Sequence, residues 1–323
     1  MRNHFLIFII LILNFSNISA KKSIEIYKNT DTIYVADPTI FLDKGTYYLY
    51  GTSSDKGFEV YQSTDLKKWT GPVGKNIGFA LSKGESYGSK GFWAPQVFKQ
   101  GEKYFIAYTA NEHIAVAESD NPLGPFTQKK IKSLPGKGLQ IDPFIFVDTD
   151  GKTYLYHVRL GNGNRIFVAE MKPDFSDIIP ETLKECITAS QPWENTEKTG
   201  WPVTEGPTVL KKENLYYLFY SANDFRSPDY AVGYATSNSP FGPWKKFERN
   251  PIISRKTLNY NGTGHGDFFT DQKGTLQYVF HTHYSNKLVS PRATAIISAK
   301  FMKQKDGSFE MKVDPSTMRF LTK

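Results

Sequence analysis

Five copies of one short pattern, spread along almost the whole chain, constrain this sequence more than any other feature. ADPTIF at 36–41, WAPQVF at 93–98, IDPFIF at 141–146 and EGPTVL at 205–210 each run through a proline into an apolar stretch. The prolines at 38, 95, 143 and 207 stand 57, 48 and 64 residues apart, and GHGDFF at 264–269 takes a fifth place without one. Each copy is followed by a polar turn such as Asp43-Lys44-Gly45 or Asp150-Gly151-Lys152, then by an aromatic strand: TYYLY, KYFIAY, TYLYHV, LYYLFY and LQYVFH. Gly and Asn at the turns permit the backbone angles of tight hairpins, so each pair reads as a β-hairpin. A further strand follows in each unit, as in GFEVYQS, HIAVAES, RIFVAEM and YAVGYATS. Units of this length with about four short strands and almost no helical periodicity predict propeller blades.

A second repeat supports the first. AESDNPLGPF at 117–126 and ATSNSPFGPW at 235–244 agree at five of ten positions. Five units occupy residues 37 to about 301, so the expected architecture is an all-β, five-bladed propeller forming one domain over 21–323. A β-sandwich would not require one motif at five intervals.

In a propeller the first strand of each blade lines the axis, so equivalent positions meet in one funnel. Asp37, Asp142 and Glu205 are therefore expected together at equivalent blade positions, with Ala94 and His265 in the two remaining places. Asp-Pro can also be a plain turn-forming pair, but carboxylates beside three in-register motifs are what acetal hydrolysis needs. One acid protonates the leaving oxygen and a carboxylate base activates water on the opposite face. Their pKa values must differ, and a third carboxylate near the acid raises its pKa. Glu205 is flanked by apolar residues in WPVTEGPTVL, which favours its protonated form.

The first twenty residues set the compartment. Arg2, an uncharged apolar run from Phe5 to Leu13 and small polar residues up to Ala20 have the order of a secretory signal peptide, giving an exported protein, periplasmic or secreted. That run is too short to span a bilayer, so no membrane insertion is expected. The lone Cys186 can form no internal disulfide. The formal charge of +8 includes Arg2, the only charged residue of the leader. Its lysines are scattered pairs without an arginine-rich stripe, which speaks for a solvated surface and against a nucleic-acid partner.

Taken in order, ADPTIF, WAPQV, IDPFIF, TEGPTV and GHGDFF resemble glycoside hydrolase family 43 over essentially all of the mature sequence. The resemblance implies an inverting hydrolase with Asp37 as general base, Glu205 as general acid, and Asp142 tuning and orienting that acid. It also implies that Arg292 contacts substrate near the acid, and that His265 helps hold a hydrated calcium ion, the chemistry itself needing no cofactor. Trp93 is expected to form part of the sugar platform. Trp193 and Trp201 precede Glu205 and suit either the pocket rim or loop packing. The expected substrate is a plant oligosaccharide or polysaccharide that loses a pentose, α-L-arabinofuranose first. A β-xylosidase, endo-arabinanase or galactan-acting enzyme of the same family are alternatives. A non-catalytic sugar-binding propeller is a remote one, and a monomer is expected. Fructoside-cleaving propellers fit poorly, because ADPT, IDPF and TEGP stand where their motifs differ.

Overall fold

The structure is a computed structural model that describes residues 31–323; the expected leader at 1–20 lies outside the described residues. Each repeat forms an antiparallel sheet whose first strand carries the motif: Ala36–Asp43, Trp93–Gln100, Gln140–Val147, Thr204–Lys212 and Gly264–Thr270. These five strands touch one another in a closed ring, which makes a five-bladed propeller. The aromatic strands Thr46–Thr52, Lys103–Ala110, Thr153–Leu160, Leu215–Ala222 and Leu276–Thr282 pair with them. Blades three, four and five have four strands in one sheet, as expected. Blade two has three, and blade one is split into a three-stranded sheet and a separate two-stranded ladder.

The motif owes its form to a β-bulge. In every first strand one extra residue is inserted, at 37–38, 94–95, 142–143, 206–207 and 265. The bulged residues Asp37, Ala94, Asp142, Gly206 and His265 all have φ between 45° and 58°, in the left-handed region. Asp and His tolerate that region better than most side chains, and a proline next in line loses no ladder hydrogen bond at a bulge. Blade four requires glycine for a second reason. A Cβ on Gly206 would lie 2.9 Å from the His265 ring.

The bulges correct one expectation. Gly206, not Glu205, is the structural equivalent of Asp37 and Asp142, because the Pro207 of blade four aligns with Pro38 and Pro143. Glu205 stands one residue earlier, in the place of Ala36, Trp93 and Ile141. It still points into the funnel because the bulge turns both residues toward the axis.

A ring of inter-blade bonds fixes these five residues. The amide of Ala94 donates to Thr52 Oγ1 (3.0 Å), that of Asp142 to Thr109 Oγ1 (2.9 Å), that of His265 to Ser221 Oγ (2.8 Å) and that of Asp37 to His281 Nδ1 (3.2 Å). Blade three has Val158 at the corresponding place, opposite Ile141, and offers no acceptor. There the Gly206 amide donates instead to the Asp142 carboxylate (3.1 Å).

The second repeat is a clasp between blades. Tyr50 in blade one donates its hydroxyl to Pro122 O, and Tyr156 in blade three does the same to Pro240 O (2.7 Å), the two prolines holding the same place in the repeat. The ring closes where the ends of the described chain meet: Ile33 N donates to Leu321 O (2.9 Å) and Thr294 N to Ile33 O (3.0 Å). Ile33, Val35, Leu49, Trp69, Val279 and Leu321 form the buried cluster between blades one and five.

Candidate active site

Asp37, Trp93, Asp142, Trp201, Glu205, His265 and Arg292 all line one pocket of about 380 Å³ at the axis. The three carboxyl groups are buried at its base, whereas Trp93 and Trp201 remain 36% and 48% exposed on its walls. Trp193 does not join them. It packs on Tyr220, at 5.8 Å between ring centroids, and donates to Gln191 (2.7 Å).

Asp37 is held as a carboxylate. Thr52 Oγ1 donates to its Oδ2 (2.7 Å) and Arg292 Nη1 to its Oδ1 (2.9 Å). Burial pushes its pKa up, but Arg292, His265, His281 and the Thr52 hydroxyl outweigh burial and hold it well below the ordinary carboxylate range. Burial keeps both histidines themselves below their ordinary values. At neutral pH, then, Arg292 is the permanent charge that acts on Asp37. Arg292 pairs with the proposed base because it immediately precedes the strand Ala293–Lys303 of blade five, which adjoins blade one at the ring closure, and it lines the same pocket as Glu205.

Glu205 lies in the opposite field. Burial, with a contribution from Asp37, pushes its carboxyl up to about 7. Two donors work against this: the Tyr230 hydroxyl on Oε1 (2.8 Å) and Asn164 Nδ2 on Oε2 (3.0 Å). Asp142 is raised well above its ordinary value by burial and by the like charges of Glu205 and Asp37. Its bond to the Gly206 amide ties it to the peptide next to Glu205. So one carboxyl is held ionised and another is held ready to give a proton, both facing one space that would admit a sugar. That is the division of roles that acid–base hydrolysis requires.

Several residues at the site carry no motif. Tyr230 is fully buried, donates to Glu205 and stacks on His281 at 5.7 Å. Phe225 lines the pocket beneath Arg292, 4.8 Å from its guanidinium, and Asp224 holds Arg226 by two bonds. Thr52, Thr109, Ser221 and His281 share a position near the end of each aromatic strand. Their register was a readable signal for the polar ring; nothing comparable marks Tyr230 or Asn164, which lie on loops or at a strand end.

A protein-family model for glycosyl hydrolases family 43 matches residues 32–308. The chain belongs to glycosyl hydrolase family 43. It is accordingly an O-glycosyl hydrolase. It is 26% identical over 277 residues to a β-D-galactofuranosidase of Aspergillus niger, covering 78% of this chain and 75% of that one. It is 27% identical over 257 residues to a xylosidase/arabinosidase of Bacteroides ovatus, covering 65% and 76%. Among solved structures, an endo-1,4-β-xylanase from Bacteroides thetaiotaomicron superposes with a TM-score of 0.81 at 39% identity, covering 90% of this chain and 97% of that one. As a family 43 enzyme the chain keeps the five-bladed propeller of its structural neighbours.

Proposed function

We propose that this family 43 enzyme is an inverting, exo-acting hydrolase that releases a terminal pentose, α-L-arabinofuranose first and β-xylose second, from plant oligosaccharides or polysaccharide side chains. Asp37 activates the attacking water, Glu205 protonates the leaving oxygen, and Asp142 orients and tunes Glu205. The observation that carries this reading is the opposite displacement of two carboxyls in one pocket: Arg292 holds Asp37 down, while burial raises Glu205 to about 7. Proton transfer from a correctly poised acid is worth about 10²–10⁴-fold in rate.

The charge balance supports a neutral sugar. Both arginines that line the pocket are already paired, Arg292 with Asp37 and Arg226 with Asp224. Among the described residues that line the pocket no unpaired arginine or lysine is left for a uronic acid, whereas the developing positive charge of an oxocarbenium-like transition state meets carboxylates. The names of the relatives, a galactofuranosidase and a xylosidase/arabinosidase, support a furanose or a pentose. The leader at 1–20 supports export, and no helix among the described residues is long and apolar enough to cross a membrane.

Calcium is part of the proposal in a limited form. Among the described residues no group of three or more His, Cys, Asp or Glu side chains is placed to hold a metal ion by itself. His265 offers an imidazole kept neutral by burial, 3.5 Å from Asp37 and 4.0 Å from Asp142. Such a site fits an ion that retains most of its own water, held by His265. When bound, the ion would supply positive charge near both carboxylates.

The experiment is a panel of aryl glycosides of arabinofuranose, xylopyranose and galactopyranose, followed by proton NMR of the first product. Arabinofuranoside cleavage with inversion is expected. Retention of configuration would overturn the role given to Asp37.

A further inference from the structure

Glu205 takes two hydrogen bonds, and one of them depends on a residue that does not touch it. We infer that Trp201 is a positioning residue for Glu205: its indole N–H sets which end of the Asn164 amide faces the acid. The inference rests on the reading of Glu205 as general acid.

An indole nitrogen can only donate a hydrogen bond. Trp201 Nε1 lies 2.9 Å from Asn164 Oδ1, so that end of the amide must be the carbonyl. The other end is then the NH₂ group, which donates to Glu205 Oε2 at 3.0 Å. A reversed amide would set two donors against each other at Trp201 and a carbonyl against the carboxylate at Glu205. Without the indole N–H only the second of these penalties remains, and the amide is free to seek water instead.

The backbone makes the relay rigid. Asn164 N donates to Pro202 O (2.9 Å), and Thr204 Oγ1 donates to Asn164 O (3.0 Å). All four polar groups of Asn164 are thereby engaged. Gly163 lets the two segments approach this closely, since a Cβ there would lie 2.4 Å from Pro202 O. Trp201 itself is half exposed on the pocket wall. A sugar stacked on its face touches the same ring that fixes the amide, which couples substrate seating to the state of the acid.

Trp201→Phe keeps an aromatic face and deletes the N–H. The measurement is the pH profile of kcat on a natural disaccharide of the sugar best cleaved in the panel above, for Trp201→Phe, Asn164→Ala and the double variant. Losing a donor to its carboxylate raises the pKa of Glu205, so the basic limb should move to higher pH by about one unit in each single variant. The double variant should shift no further than Asn164→Ala alone, since both act on one bond. KM should rise much less in Trp201→Phe than in Trp201→Ala, which also loses the aromatic face. A basic limb in Trp201→Phe that coincides with the parent, or shifts that add in the double variant, would overturn the inference. Glu205→Ala, compared on the disaccharide and on an aryl glycoside with an acidic phenol, tells the two failures apart. Greater loss on the disaccharide upholds the acid whatever Trp201→Phe does; equal loss on both removes the acid assignment and the relay with it.

Discussion

Replacing Tyr230 by Phe removes one oxygen from the wall behind Glu205 and leaves the rest in place. The ring is fully buried and stacks on His281, so its packing survives. What disappears is the hydroxyl that donates to Glu205 Oε1 at 2.8 Å. A hydrogen bond to a charged group is worth about 1.5–3 kcal/mol, and one pKa unit corresponds to about 1.4 kcal/mol. The carboxylate form should therefore lose about one to two pKa units of stabilisation, the lower figure being favoured because Asn164 still donates to Oε2. Glu205 starts at about 7, so the basic limb of kcat should move from near neutral pH to about 8–9 in Tyr230→Phe. The sign is fixed: an acid that holds its proton more tightly stays competent at higher pH. The assay is kcat against pH on an unactivated disaccharide, with a melting curve to show that the variant is folded. A basic limb that stays put, or moves to lower pH, would refute the reasoning.

Arg292→Gln should act on the other limb. Without its permanent cation Asp37 loses the main force opposing burial, so the acidic limb should rise by about one to three pH units, read from kcat/KM against pH. Gly206→Ala should destabilise the fold by at least about 1–2 kcal/mol, because a left-handed alanine costs that much before its contact with His265 is counted. For a domain of this size that lowers Tm by several degrees, measurable by calorimetry. If His265 holds calcium, EDTA should lower Tm or rate in the parent enzyme and leave His265→Ala unchanged; identical melting and rate with and without chelator would mark His265 as purely structural.

Much of this was legible because a repeat transmits geometry. Once five motifs were in register, the architecture and the convergence of Asp37, Asp142 and Glu205 followed from closure of the ring. The error over Glu205 has a physical cause: the proline marks the second residue of the bulge, and a carboxylate on either side of the bulged position reaches the same funnel. The pairing of Arg292 with Asp37 was not legible, because closure brings blade five against blade one, a neighbour relation that sequence order hides. Tyr230 and Asn164 were not legible at all. They act on Glu205 from a loop and from a strand end, where no periodicity fixes which way a side chain points. The paired role of Trp201, wall and hydrogen-bond donor, is equally a matter of three dimensions.

The central claim is that Glu205 gives the proton and Asp37 activates the water. It is tested most directly by measuring kcat/KM for Glu205→Ala and Asp37→Ala on two substrates of one sugar, an aryl glycoside with an acidic phenol and a natural disaccharide. Glu205→Ala should lose about 10²–10⁴-fold on the disaccharide and far less on the aryl glycoside, whose leaving group needs no proton. Asp37→Ala should be severely impaired on both. Rescue of Asp37→Ala by the good leaving group, with Glu205→Ala equally impaired on the two substrates, would contradict the account.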